Sequence, residues 1–249
     1  MKPKDNFYSI TGDDISLALD VEDKQAITPA EFLGGHTNIN LKLGNMLIKK
    51  IVYGNIDFVD RAYTELAEKK LFGVMHYQRF DNLLFLSFIE GYVTEDISVK
   101  EFMYLSDKIK KCGLTPTTTL TEIFDKYNFS PVKELYAPLL EDIVHVSHGD
   151  LAYINIVRTE NEIVPIDWEF LCYSTRYWDL ACFLASLYVY EHATNEEIRL
   201  KTEEVADPRM AALSVMLLCE YWIRFGITTQ NHFYPKELKD LRDYLSKFI

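Results

Sequence analysis

Cysteine is scarce in this sequence, and the cysteines that occur are far apart. The chain has four in 249 residues, and no two of them form a Cys-x-x-Cys pair. This spacing argues against a zinc ribbon and against a dithiol redox motif. Scattered, unpaired thiols are typical of a reducing compartment, so the sequence predicts a cytoplasmic protein.

Positive charge is also in short supply. Lysine and arginine total 26 against 38 aspartate and glutamate residues, which gives a formal net charge of −12. An acidic chain disfavours nonspecific attachment to nucleic acid or to anionic lipid, and it favours a neutral or cationic small molecule as partner. The same charge also fits a role in solubility alone.

The sequence has no long apolar run. The N-terminal stretch MKPKDNFYSITGDD has no apolar core, so no signal peptide is expected. The most apolar stretch, Met210 to Cys219, is interrupted by Glu220 and is too short to span a bilayer, which predicts no membrane insertion. Because 48% of the residues are hydrophobic, the chain can build the core of one large domain or of two smaller lobes.

Polar residues with a distinctive spacing do occur in the stretch VSHGDLAYINIVRTENEIVPIDWEF, residues 146–170. Asp150 stands two residues after His148, Asn155 follows five residues later, and Asp167 comes directly after an apolar run. In protein kinases an Asp orients the acceptor hydroxyl, an Asn five residues on binds Mg²⁺, and a second Asp after a short strand also binds metal. The spacing therefore predicts phosphoryl-transfer chemistry.

Two departures from the protein-kinase pattern refine this prediction. Gly149 replaces the arginine of His-Arg-Asp, and Asp-Trp-Glu replaces Asp-Phe-Gly. In these motifs the sequence resembles the choline/ethanolamine kinase and aminoglycoside phosphotransferase superfamily, and most closely the bacterial choline kinases. The resemblance extends over about residues 32–187. It includes two further motifs, Gly34-Gly35-His36-Thr37-Asn38-Ile39-Asn40 and Asp179-Leu180-Ala181.

The resemblance implies an α+β fold of the protein-kinase-like, bilobal type, with ATP and Mg²⁺ as cofactors. Residues 1–89 would form a small β-rich lobe that binds nucleotide. Residues 90–249 would form a larger, mostly helical lobe with the catalytic loop and the acceptor pocket, and ATP would lie between the two. Asp150 is then the catalytic residue that orients and deprotonates the acceptor hydroxyl, and Asn155 and Asp167 are the metal ligands.

The nucleotide site is expected in the N-terminal part of the chain. The resemblance puts the cation that holds the phosphates at Lys49, directly after Leu47 and Ile48, and Lys50 would point to the opposite face of a regular strand. Glu65, on a helix predicted from Asp57 to Phe72, is the candidate partner of that lysine. Taken alone, the Gly-Gly pair also fits a plain hairpin turn. The implied ATP-binding residues are Thr37, Asn38, Lys49 and Glu65, together with Phe88, Ile89 and Glu90 at a hinge whose backbone contacts adenine.

Aromatic residues crowd the chain after the second aspartate of the motif. Ring faces attract a cation by about 0.5–2 kcal/mol each, so a quaternary ammonium such as choline is the favoured acceptor. Rings at helical spacing also suit an ordinary core. The candidate substrate-binding residues are Phe170, Tyr173, Tyr221 and Trp222.

Three polar residues are assigned supporting roles by the resemblance. His148 is expected to pack the loop and to bond to backbone, and Glu169 to lie beside the metal site. Asp179 is expected to brace the catalytic loop by hydrogen bonding, although an acid at a helix start is a simpler explanation of that residue.

Two alternatives remain open. The acceptor could be ethanolamine, an aminoglycoside or a sugar, since Ser186 stands about where eukaryotic relatives have a carboxylate. The chain could also be a nucleotide-binding pseudokinase, although Asp150, Asn155 and Asp167 are all present. No motif indicates an oligomeric state.

Overall fold

The computed structural model describes residues 30–34, 38–51, 55–229 and 234–249. The chain divides after Glu90 into two compact units. Each is described by itself, and the functional roles assigned to the two predicted lobes remain predictions.

The first unit is built on an antiparallel sheet. Its strands are β1 (Ala30–Gly34), β2 (Ile39–Leu43), β3 (Met46–Lys50), β4 (Tyr77–Phe80) and β5 (Leu83–Ser87). Their order in the sheet is β1-β2-β3-β5-β4, and every neighbouring pair is antiparallel. The turn between β2 and β3 contains Gly44, whose φ of +61° suits a tight hairpin. An apolar core forms around Ile48, Leu83 and Phe85.

Helix α1 (Ile56–Glu68) completes the described part of this unit. Asn55 caps its start, because the Asn55 side chain accepts hydrogen bonds from the backbone N–H groups of the first turn. Arg79 on β4 donates to Asp57 at 2.8 Å and to Asp60 at 3.0 Å, so the helix lies against that strand. The buried positions of α1 fall at helical spacing and are Val59, Ala62, Tyr63 and Leu66.

Helix α1 ends one turn before the predicted Phe72. The chain leaves helical geometry at Lys70, whose φ is +51°, and Phe72 and Gly73 also have positive φ. The end of the helix is therefore set by a turn that the apolar periodicity did not reveal.

The second unit is mostly helical, with two small sheets. Its helices are α2 (Val99–Lys111), α3 (Leu120–Lys126), α4 (Lys133–Leu140), α5 (Trp178–Tyr190), α6 (Asn195–Glu203), α7 (Pro208–Thr229) and α8 (Pro235–Leu245). Its strands are β6 (Tyr92–Val93), β7 (His145–Ser147), β8 (Ile156–Arg158), β9 (Ile163–Pro165) and β10 (Cys172–Ser174). One sheet has the order β6-β8-β9, and the other pairs β10 with β7. With a sheet-based first unit and a helical second unit, the predicted α+β class is confirmed.

Helix α5 is the core helix of the second unit. Eleven of its thirteen residues are buried, as expected for a helix that is apolar on all sides. Asp179 and Ser186 are the two buried positions with side-chain oxygens. They are seven residues apart, which places them on one face of the helix, two turns from each other.

Helix α7 extends well beyond the apolar stretch that ends at Cys219. The sequence predicts this helix from Pro208 to Phe225, and the helix runs on through Glu220 to Thr229, about one turn past the predicted end. By length and composition, residues 208–228 could cross a bilayer, yet 61% of the most apolar window is buried inside the protein. Such burial is what the core helix of a folded domain shows, so this helix is weak evidence for a membrane span.

Candidate active site

The predicted catalytic loop begins where strand β7 ends. Strand β7 pairs antiparallel with β10, so that Ser147 lies opposite Cys172. The loop continues to a short 3₁₀ turn, Tyr153–Asn155, and then enters β8. The apolar run before Asp167 contains strand β9, which pairs antiparallel with β8 to form a hairpin. The β7–β10 pair was missed because strands of three residues are shorter than a periodicity analysis detects.

Asp179 contacts the loop through three hydrogen bonds. Its Oδ1 accepts from the Ser147 hydroxyl at 2.6 Å and from the Gly149 N–H at 3.1 Å. Its Oδ2 accepts from the His148 N–H at 3.2 Å. Since Asp179 is 2% exposed, these bonds supply the partners that a buried carboxylate requires.

Gly149 occupies a position that no other residue fits. Its φ is +85°, and a Cβ built on it would lie 1.9 Å from the carbonyl oxygen of Phe170. The Gly149 carbonyl in turn accepts a hydrogen bond from the Trp178 indole N–H at 3.0 Å. The glycine of His-Gly-Asp therefore allows the segment after Asp167 to pass directly against the loop.

Asp150 and Asn155 meet within the loop. The Asn155 Nδ2 atom donates to the Asp150 carboxylate at 3.2 Å and to the Asp150 backbone carbonyl at 2.8 Å. Both side chains are half-buried. The amide nitrogen thus faces Asp150, which leaves the amide oxygen as the atom for a metal ion.

Asp167 lies at the same end of the β8–β9 hairpin as Asn155. The backbone N–H of Ile166 donates to the Asn155 carbonyl at 2.9 Å, directly before Asp167. Asp167 has a φ of +67°, an uncommon backbone conformation for a residue with a side chain. The Glu169 N–H donates to the Asp167 carbonyl at 2.9 Å, and the Glu169 side chain is half-buried.

His148 is fully buried beneath this arrangement. Its Nε2 atom lies 2.8 Å from the Ile166 carbonyl, and its ring centroid is 4.6 Å from that of Trp168. The histidine thus connects the loop to the segment that carries Asp167.

The four predicted acceptor residues differ in their surroundings. Tyr221 is buried among aromatic rings, and its pKa is raised well above the ordinary range by burial, by Tyr127 and by the charge of Asp150. Phe170 contacts the catalytic loop through its backbone. Tyr173 lies in β10, where its N–H donates to Thr118 at 2.9 Å. Trp222 is half-buried on α7.

Tyr190 is a further aromatic residue near the loop that sequence reasoning did not select. Burial, followed by the charge of Asp150, raises the Tyr190 pKa to about 12. Its ring lies 6.3 Å from that of Tyr153 and 6.0 Å from that of Tyr234. The hydroxyl of Tyr153 donates to the Glu191 carboxylate. The sequence signal that could have identified Tyr190 is its position as the last residue of α5, because this helix lies against the loop after β7.

Within the first unit, strand register separates the two lysines of β3. Lys49 lies opposite Leu84, which lies opposite Arg79, and directly opposed residues share one face of a sheet. Lys49 is therefore on the face of Arg79 and α1, the helix that carries Glu65. Lys50 is on the face of the apolar core, and both lysines are buried, at 2% and 7% exposure.

The remaining predicted nucleotide residues are also located, apart from Thr37; Ile89 lies beside Gly73, where an added Cβ would be 3.3 Å from the Ile89 side chain. Glu65 accepts from Lys69 at 2.7 Å, and Asn38 is buried. The Phe88 N–H already donates to the Asn45 carbonyl at 2.8 Å, and Glu90 accepts from Lys42 at 3.1 Å. Thr37 lies outside the described residues.

The donor set around the loop fits Mg²⁺. Asn155 and Asp167 offer amide and carboxylate oxygens at one hairpin end, and Mg²⁺ is usually held by one or two carboxylates together with substrate phosphates. In the described part of the chain, no group of three His, Cys, Asp or Glu side chains could hold a metal. The fit therefore depends on the nucleotide supplying further oxygens.

The fold defines a class before any comparison is made. In the residues that the structure describes, the first unit has an antiparallel sheet and helix α1, and the second is mostly helical. In the second unit a loop is followed by a hairpin and an aspartate. This is the protein-kinase-like arrangement. Comparison with known proteins confirms this class and narrows it. Residues 105–213 match the family model described as choline/ethanolamine kinase.

Solved structures of the same fold include choline kinases and aminoglycoside phosphotransferases. The choline kinase LicA of Streptococcus pneumoniae has a TM-score of 0.66 at 16% identity, covering 95% of this chain and 100% of that chain. A choline/ethanolamine kinase family protein of Mesorhizobium loti has a TM-score of 0.63 at 16% identity, with coverages of 95% and 93%. Aminoglycoside 2'-phosphotransferase-IIIa, in its GDP complex, has a TM-score of 0.57 at 13% identity, with coverages of 94% and 97%.

The resemblance to this superfamily is thereby confirmed. No curated protein matches the chain in the sequence search. The family match covers the catalytic loop and Asp179, and it supports a phosphotransferase of the small-molecule kinase type.

Proposed function

We propose that this protein transfers the γ-phosphoryl group of ATP to the hydroxyl group of a small alcohol, with choline as the favoured acceptor. The contact between Asp150 and Asn155 carries the proposal. The two side chains meet at 3.2 Å, and the Asn155 backbone binds the residue that precedes Asp167. One carboxylate for the acceptor and two oxygen ligands for a metal are the groups that phosphoryl transfer requires.

Asp150 is the catalytic residue of this proposal. Its carboxylate orients the acceptor hydroxyl and takes the hydroxyl proton as the new O–P bond forms and the bond from the γ-phosphorus to the bridging oxygen breaks, so that ADP leaves. General-base catalysis of this kind contributes roughly 10²- to 10⁴-fold in rate. Asn155 and Asp167 would hold Mg²⁺, which when bound neutralises charge on the transferred phosphoryl group.

The nucleotide is assigned to the first unit. Lys49 is the proposed contact of the α- and β-phosphates, supported by its position on the α1 face of the sheet, and Glu65 is the residue proposed to place it. Phe88, Ile89 and Glu90 are proposed to contact adenine through backbone groups. Because the Phe88 N–H is already bonded to Asn45, Phe88 would contribute its carbonyl. Thr37 and Asn38 complete the proposal.

The acceptor is proposed to be cationic. Burial raises the pKa values of Tyr190 and Tyr221, and the charge of Asp150 contributes to both increases. Rings beside a carboxylate suit an alcohol that carries a quaternary ammonium group. The net charge of −12 also favours a cation. We infer a cytoplasmic location, in keeping with scattered thiols and a need for ATP.

The test is the release of ADP from ATP and Mg²⁺ with choline, ethanolamine, aminoglycosides and sugars as separate acceptors. We expect turnover with choline and a loss of roughly 10²- to 10⁴-fold in Asp150→Asn. Asp207→Asn is the matched control, because Asp207 is an exposed residue that caps α7 through the Met210 N–H.

The outcomes separate the alternatives. Turnover with an aminoglycoside or sugar alone would refute the cationic-alcohol acceptor and leave the kinase chemistry in place. Nucleotide binding without turnover on any acceptor would favour the pseudokinase. Equal rates in the wild type and Asp150→Asn would remove Asp150 from the mechanism.

A further inference from the structure

We propose that Ser186 is a positioning residue for the metal ligand Asn155. The inference deepens the proposed function, on which it rests in taking Asn155 as a ligand of Mg²⁺. Ser186 lies on the core helix α5 and is fully buried. It has no part in phosphoryl transfer itself, and it acts through the backbone of the loop.

The Ser186 hydroxyl is fixed by two hydrogen bonds of opposite sense. It donates to the Phe183 carbonyl at 2.7 Å and accepts from the Tyr153 N–H at 2.9 Å. A hydroxyl has one proton to donate. Because that proton is directed to the helix backbone, an oxygen lone pair is directed toward Tyr153.

The Tyr153 N–H is the first backbone group of the turn that carries Asn155. Tyr153–Asn155 is a single 3₁₀ turn, and within it the Asn155 N–H donates to the Ala152 carbonyl at 2.9 Å. A turn this short has little internal structure to fix its orientation. Its direction is therefore set by the groups that bind its ends, namely Ser186 at the start and the β8–β9 hairpin at the finish.

Helix α5 holds the loop at two separate points on one face. Asp179 binds the Gly149 N–H, and seven residues later Ser186 binds the Tyr153 N–H. Seven residues of helix rise by about 10 Å. The two bonds attach both ends of segment 149–153 to a rigid element, and this fixes the separation between Asp150 and Asn155.

Hydrogen exchange and metal binding test the inference without depending on turnover. Ser186→Ala removes the acceptor of the Tyr153 N–H, and Ser186→Thr keeps a hydroxyl. Ser214→Ala is the matched control, since Ser214 is also fully buried but bonds to Met210 within its own helix. Amide exchange at Tyr153 is followed by NMR. Mn²⁺ binding in the presence of a nonhydrolysable ATP analogue is followed by electron paramagnetic resonance.

We expect Ser186→Ala to accelerate exchange at Tyr153 roughly 10-fold. We expect it also to raise the Mn²⁺ concentration for half-saturation by about 10-fold, as loss of an outer-shell partner does. Ser214→Ala should change neither quantity, and Ser186→Thr should restore Mn²⁺ binding at least in part.

Equal Mn²⁺ binding in Ser186→Ala and the wild type would overturn the inference while leaving the proposed function intact. Equal changes in Ser186→Ala and Ser214→Ala would overturn it as well, because they would show a general loss of packing. If the wild type binds no Mn²⁺ with the nucleotide analogue, both the inference and the metal role of Asn155 fail.

Discussion

The catalytic loop and the aromatic cluster of Phe124, Phe129, Trp178 and Tyr221 are held in different ways. The loop is held by directional hydrogen bonds to Asp179, Ser186 and Trp178. The cluster is held by ring packing, with centroid separations of 4.8 to 6.1 Å around Tyr221 and Phe124. Hydrogen bonds fix atoms within tenths of an ångström, whereas ring contacts tolerate adjustment. The loop residues are thus placed more strictly than Tyr221, the proposed acceptor residue in this cluster.

The largest loss of turnover is expected from a change within the hydrogen-bonded loop. Gly149→Ala introduces a Cβ that would lie 1.9 Å from the Phe170 carbonyl oxygen. A displacement of about 1 Å can lower the rate 10²-fold, so turnover should fall by at least roughly that factor. Steady-state kinetics and thermal unfolding measure the two consequences.

Gly44→Ala is the control for backbone strain. Gly44 also has positive φ, but nothing lies within 4 Å of its added Cβ. Both variants carry left-handed strain of about 1–2 kcal/mol, and only Gly149→Ala adds a clash. Equal loss of turnover in both would show that the contact with Phe170 is unimportant.

A smaller effect is expected from Asp179→Asn. Asparagine keeps one side-chain oxygen, but its NH₂ group would face at least one of the hydrogen-bond donors that Asp179 accepts from in the loop. The loss of a hydrogen bond to a charged group should lower the free energy of unfolding by about 1.5–3 kcal/mol. Turnover should fall roughly 10-fold, since outer-shell partners matter to that extent. Chemical denaturation and kinetics provide the measurement.

Asp207→Asn supplies the matched comparison for that variant. Asp207 also accepts from a backbone N–H, but it is exposed, and asparagine caps a helix about as well as aspartate. Unchanged stability in Asp179→Asn would contradict the importance of the buried carboxylate.

A change at Tyr190, an aromatic residue outside this cluster, should alter the affinity for the acceptor with little change in rate. Tyr190→Leu removes a ring but keeps an apolar side chain. If that ring faces a cationic acceptor, the KM for choline should rise about 5-fold, within the range of one cation–π contact, and kcat should change little. Tyr104→Leu on the exposed face of α2 should have no effect. A fall in kcat with an unchanged KM would contradict this assignment.

The smallest effect concerns the thiols. Burial, followed by nearby carboxylates, raises the pKa values of Cys172 and Cys182 well above the ordinary range. A raised pKa keeps a thiol protonated and unreactive as pH increases, because the thiolate is the nucleophile. At pH 8, iodoacetamide should therefore modify half-buried Cys112 first, with turnover unaffected, as peptide mapping by mass spectrometry can establish. Early modification of Cys182 would show that the loop opens readily.

Local sequence patterns predicted much of this molecule. The strand–turn–strand pattern around Gly44 and Asn45, the hairpin before Asp167 and the helix from Tyr177 to Tyr190 follow from nearby residues, and the described residues form β2–β3, β8–β9 and α5 there. The end of α1 was not predicted, because turn geometry decides it, whereas the helix after Pro208 was predicted to pass Cys219 and ends only about one turn beyond its predicted end at Phe225. Glu220 interrupts the apolar run in the sequence, yet it lies within helix α7. Its carboxylate accepts a hydrogen bond from the Tyr136 hydroxyl at 3.0 Å.

The site shows the same limit. The motif identified the order of Asp150, Asn155 and Asp167, since their spacing reflects their chemistry. It did not identify Ser147 or Ser186, because their contacts join residues more than thirty positions apart. The choice of Lys49 over Lys50 rested on the resemblance, which puts the cation at that position, and strand register, which puts Lys49 on the face of α1, supports it as a proposal.

The close approach of Phe170 to Gly149 also bears on how such an enzyme can be controlled. Protein kinases carry arginine at this loop position, and ordering of an activation loop by Arg–phosphate pairs is a common switch. Here the space that such a side chain would enter is filled by backbone. A switch that works by pairing an arginine at this position with a phosphate is therefore closed to the protein.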